Sequence, residues 1–103
     1  MQKVKWTHIA LDDLDAIKGY IARDSFYYAE KFGDDASAAT DNLELFLEMG
    51  RIVPERNDPN IRVLIFGSYR IMYKIDGDCC YIIAMIHGKR LYIPGEYLIV
   101  ISR

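Results

Sequence analysis

The spacing of apolar residues changes once along the chain, and that change dictates helices first and strands second. Between residues 8 and 49 apolar side chains recur every three or four positions, at Ala10, Leu14, Ile17 and Ile21 and then at Ala29, Phe32, Ala36, Ala39, Leu43 and Phe46. This is the repeat of helices that bury one stripe. From Ile61 onward the repeat shortens to two, and β-branched and aromatic residues dominate 61–66, 69–75 and 79–87. Strands carry that pattern, because alternate side chains leave opposite faces of the pleat.

Capping and turn residues set the expected boundaries. Lys3-Val4-Lys5-Trp6 alternates as a short edge strand does, and Thr7 offers an oxygen to cap a first helix. Asp12, Asp13 and Asp15 then sit where the helix dipole favours negative charge. Ser25 caps a second helix predicted over 26–49, about 36 Å long, which Gly50 is placed to end in the left-handed conformation. Residues 51–60 hold two prolines without an apolar period and read as a loop. Gly67-Ser68 and Asp76-Gly77-Asp78 divide the last part into three antiparallel strands. Beyond them, Pro94-Gly95 parts two short apolar runs that form either a further strand or an arm for a partner.

These elements make an α+β fold: an N-terminal strand, a two-helix hairpin, and an antiparallel three-stranded meander with the helices packed on one sheet face. With 103 residues, 51% apolar and 27% charged, one domain over 1–103 is expected, 91–103 being its uncertain tail or extra strand. No apolar run approaches the roughly 20 residues of a membrane helix. Asp12, Asp13 and Asp15 arrive before a signal-peptide core could form, so a cytoplasmic location is expected. Cys79 and Cys80 are adjacent, which suits reduced thiols better than a disulfide or a zinc site. No metal or organic cofactor is implied.

Charge is divided along the chain. Residues 1–50 hold five Lys or Arg against ten Asp or Glu, whereas 51–103 hold eight against five. A formal net charge of −2 argues against a generally basic nucleic-acid binder, yet the second half can still gather its cations on one site.

The string Gly67-Ser68-Tyr69-Arg70-Ile71-Met72-Tyr73-Lys74-Ile75, followed by the strand ending Ile86-His87-Gly88-Lys89-Arg90, resembles the RelE/ParE toxin superfamily. The similarity extends upstream to Val4-Lys5-Trp6-Thr7, Asp13-Leu14, Tyr20-Ile21-Ala22, Gly50-Arg51-Ile52-Val53-Pro54-Glu55 and Ile61-Arg62, covering about residues 3 to 91. The resemblance implies a growth-inhibiting toxin of a type II toxin–antitoxin module, sometimes called a plasmid stabilisation protein, bound by a cognate antitoxin in a hetero-oligomer. It implies one of two targets: DNA gyrase for ParE-like members, or messenger RNA in the ribosome for RelE-like endoribonucleases. A non-toxic homologue that still binds antitoxin is the third reading.

The site residues decide between these. Alternation puts Arg70, Met72 and Lys74 opposite Tyr69, Ile71, Tyr73 and Ile75, whose apolar bodies should meet the helices. An outward Arg70 could stabilise charge on a scissile phosphate, solvate the sheet, or pair with an antitoxin carboxylate. Arg62 begins the preceding strand and either shares that face or is a plain edge charge. His87 is the obvious acid–base group near neutral pH, with Glu55 as its candidate partner, and the alternative is a capping or core histidine. Arg90, beside Lys89, matches a second functional arginine of RelE-like nucleases. Ile61 and Val63 stand where that group has lysines, however, and its tyrosine falls nearest Glu96 or Tyr97, so ParE-like gyrase inhibition is favoured. Tyr20, Tyr27, Tyr28 and Phe32 cluster near the inter-helix turn, where they either pack the hairpin or contact antitoxin.

Overall fold

The computed structural model describes residues 3–53 and 58–87. Strand β1 (Lys3–Trp6) leads into helices α1 (His8–Ala22) and α2 (Phe26–Asp41), then two 3₁₀ turns (Asn42–Glu44 and Leu47–Met49), and strands β2 (Arg51–Ile52), β3 (Ile61–Phe66), β4 (Tyr69–Asp76) and β5 (Cys79–His87). The sheet runs β1-β5-β4-β3-β2, with β1 parallel to β5 and every other pair antiparallel. The expected α+β order is borne out. The expected meander is the centre of a five-stranded sheet, because β1 crosses over through the helices to pair with β5 and β2 extends the other edge.

Both predicted N-caps form. Thr7 Oγ1 accepts from Ala10 N at 3.2 Å and donates to Ile82 O at 2.9 Å, so one hydroxyl starts α1 and fastens it to β5. Ser25 Oγ accepts from Tyr28 N at 3.2 Å. The helices cover one sheet face, where Ala10, Ala36, Leu43, Ile71, Tyr73, Cys80, Ile82 and Met85 form the main core. Tyr69, Ile71, Tyr73 and Ile75 meet it as alternation requires. The opposite face carries a second cluster of Val53, Ile61, Met72, Ala84 and Ile86.

Three expectations need correction. The second helix ends at Asp41 rather than Met49, the chain continuing in 3₁₀ turns that leave Phe46 exposed rather than buried. Gly50 is extended, at φ −79° and ψ 162°, and is not a left-handed cap. It is glycine because the chain passes so close to the sheet that a Cβ would lie 2.7 Å from the Tyr73 hydroxyl and 2.8 Å from Val63 O. Residues 51–52 pair with β3 and are not loop. Residues 88–103, including the tail, lie outside the described residues.

A bulge in β5 has the largest effect on the candidate site. Met72 pairs with Ala84 and Tyr73 with Ile82, so Ile83 is an extra residue. Side-chain alternation inverts across it. Cys80 and Ile82 face the helices before the bulge, and Met85 faces them after it. Asp13, only 7% exposed on α1, accepts from the buried Met85 N at 3.0 Å just past the irregularity. Its carboxylate thus satisfies a buried ladder donor beside the bulge.

Candidate functional site

The candidate catalytic residues divide between the two sheet faces. Arg70 is exposed near the start of β4, the central strand of the sheet, opposite Ile65 and Ile86 and on the face away from the helices. His87 pairs with Tyr69, and cross-strand partners share a face, so it stands on the helix side. Its ring lies edge-on to that of Tyr69 with centroids 5.1 Å apart. Tyr69 in turn meets Phe32 at 5.2 Å, so His87 continues an aromatic stack between α2 and the sheet. Without the bulge, an odd-numbered residue of β5 would have joined Cys79 and Tyr81 on the Arg70 face.

Arg62 also lies on the helix side, paired with Tyr73 and Ile52. Its Nη1 donates to Gly50 O at 2.9 Å. The Tyr73 hydroxyl donates to Leu47 O at 2.6 Å and accepts from Gly50 N at 2.9 Å. Arg62 and Tyr73 therefore pin the 3₁₀ segment and the start of β2 to the sheet. Burial raises the Tyr73 phenol above its ordinary range, consistent with a neutral hydroxyl that both donates and accepts. Sequence reasoning missed this network, although a tyrosine on the core-facing side of a strand signals a hydroxyl in need of a partner. Glu55, Lys89 and Arg90 lie outside the described residues.

The aromatic cluster also divides. Phe32 packs edge-on against Phe66 and Tyr69 at 5.3 and 5.2 Å and is part of the hairpin-to-sheet packing. Tyr20, Phe26, Tyr27 and Tyr28 remain at the hairpin tip, each between 61% and 71% exposed. Arg23 lies over the Tyr20 ring at 5.9 Å, and Tyr27 meets Tyr28 edge-on at 5.1 Å. Four exposed aromatics around one turn make an apolar surface of the kind partners cover.

Both cysteines are free, Cys79 half-buried and Cys80 buried. Burial pushes the Cys80 thiol up to about 11, so it is an inert core group at neutral pH. Among the described residues, no three His, Cys, Asp or Glu side chains gather to hold a metal ion. Nor is any helix there long and apolar enough to cross a membrane.

Comparison with known proteins agrees with this architecture. Residues 4–92 match the family described as the ParE toxin of the type II toxin–antitoxin system, parDE. No curated protein matches the chain. Among solved structures, the chromosomal ParDE toxin–antitoxin system from P. aeruginosa includes a chain that superposes with a TM-score of 0.70 at 24% identity, covering 84% of this chain and 96% of that one. The family match spans β1, the hairpin and the whole sheet, and the superposition places the same fold on a second sequence. This chain belongs to the ParE toxin family of type II toxin–antitoxin systems.

Proposed function

We propose that this toxin arrests growth by binding DNA gyrase and that a cognate antitoxin neutralises it in a hetero-oligomer. The observation that carries the reading is the division of Arg70 from His87 and Arg62 by the sheet. General acid–base cleavage of RNA needs the proton-transfer group and the phosphate-binding arginine around one scissile bond. Arg62 is instead engaged with Gly50 O, and His87 packs edge-on against Tyr69. Inhibition by protein binding asks for a surface rather than a catalytic set, and the exposed tip aromatics Tyr20, Tyr27 and Tyr28 supply one suited to antitoxin or target.

RelE-like cleavage of messenger RNA is kept as a second reading because Arg70 is exposed on β4, the central strand of the sheet. Inducing the chain alone and mapping transcript 5′ ends separates the two. Growth arrest with intact transcripts, retained in His87→Ala and relieved by co-expressed antitoxin, is the expected result. New translation-dependent ends within coding regions would replace gyrase with the ribosome. Normal growth with retained antitoxin binding would instead identify a non-toxic homologue.

A further inference from the structure

A second apolar surface lies open away from the hairpin tip. Between α2 and the end of β2, Leu45, Phe46, Met49 and Ile52 are 69%, 60%, 43% and 46% exposed. The segment that presents them is fixed to the sheet: Leu47 O and Gly50 N bond the Tyr73 hydroxyl, and Gly50 O accepts from Arg62. Strand β2 ends the sheet, with β3 on one side and no further strand on the other among the described residues. Within 45–52 the charged side chains are Glu48 and Arg51. Both are exposed, and the ion pairs among the described residues, Lys18–Glu30 and Lys31–Asp35, involve neither. Helix α2, 16 residues long, carries the chain about 24 Å from the tip before this patch begins.

We infer that this patch is the contact of a two-fold homodimer. Four exposed apolar side chains on one fixed segment favour a protein partner over solvent. The charges select which partner. An acidic surface would meet Glu48, and a basic one Arg51, as a like charge. A second copy turned about a two-fold axis offers Arg51 to Glu48 and Glu48 to Arg51 at once. Side chains, not strand addition, join the copies. Val53 N donates to Ile61 O, one step beyond the Ile52–Arg62 pair, so within β2 Ile52 alone turns its N–H and C=O outward. Pro54 has no N–H, and both Gly50 groups are already bonded, which leaves too short a ladder to join two sheets. Four partly exposed side chains per copy fit the small class of interface, below about 1,200 Å² in total, that forms transient complexes. The hairpin tips stay free in such a dimer, so the inference is independent of the gyrase reading.

The test is analytical ultracentrifugation of the purified full chain from about 2 to about 500 µM, a span that brackets micromolar dissociation constants. The weight-average mass should rise from 11.9 kDa at the dilute end toward about twice that value at the concentrated end. Phe46→Glu should hold it at one copy throughout, since a carboxylate would be buried in the contact. Glu48→Arg and Arg51→Glu should each weaken dimerisation at least about fivefold by setting like charges face to face, and the two together should restore it to within about twofold. Lys31→Ala on the hairpin should leave it unchanged. Circular dichroism verifies the fold of each variant. A mass of one copy at every concentration would overturn the inference, as would a dimer that persists in Phe46→Glu or a double charge swap that fails to recover. A chain that is monomeric alone but loses co-expressed antitoxin in Phe46→Glu would also overturn it, reassigning the patch to the antitoxin.

Discussion

Tyr73 shows how one hydroxyl can hold an irregular segment in place. Its ring is fully buried, and its OH satisfies both Leu47 O and Gly50 N where the chain leaves the second 3₁₀ turn. Tyr73→Phe keeps the ring but strands two backbone groups, and should cost about 1 to 3 kcal/mol in chemical denaturation. Gly50→Ala forces a methyl group against the same hydroxyl and Val63 O, so it too should destabilise by about 1 to 3 kcal/mol. Cys80 contributes a pH dependence. Its thiol is raised from 9.0 to about 11 by burial, so above pH 9 the unfolded chain ionises while the native one does not. Stability attributable to this group is complete below pH 9 and lost as pH rises toward 11, by about 2 to 3 kcal/mol. Thermal melts at pH 8 and pH 10.5 should show the decline, and Cys80→Ala should flatten it.

Helices α1 and α2 and strands β3 to β5 were legible in the sequence because their periods are clean and their caps are local. Thr7 and Ser25 act within a few residues of where they sit, and Gly67 and Gly77 take the positive φ angles of 57° and 63° that their tight turns need. Helix α2 ended early for a reason that apolar spacing does not report: the Arg62 and Tyr73 bonds draw the chain down onto the sheet beyond Leu43. The candidate site was less legible, since a single inserted residue at Ile83 moved His87 to the opposite face from Arg70. Asp13, read from sequence only as a charge favoured by the helix dipole, lies on the same stripe as Ala10 and Ile17, and a carboxylate buried there calls for a buried donor. Asp13→Ala should leave Met85 N unpaired and cost about 1 to 3 kcal/mol, with protection of that amide in hydrogen exchange falling selectively. Preserved protection would mean that the bulge is held by its own ladder.

For the whole molecule, the division of labour is between surfaces. The hairpin places exposed aromatics at one tip, while the turns that lead into β2 expose apolar side chains at the sheet edge. A toxin that acts by occupying surfaces can use both, whereas a nuclease needs its groups to converge on one. Alanine at both Tyr27 and Tyr28 should therefore weaken antitoxin or target binding at least tenfold, with little change in melting temperature, because both side chains are already solvent-exposed. Binding retained at full strength would move the interface away from the tip. The central claim is tested most directly by adding the purified chain to a DNA gyrase supercoiling reaction. Dose-dependent loss of supercoiling, equal for wild type and His87→Ala, is the expected result. Undiminished supercoiling at saturating toxin would contradict it.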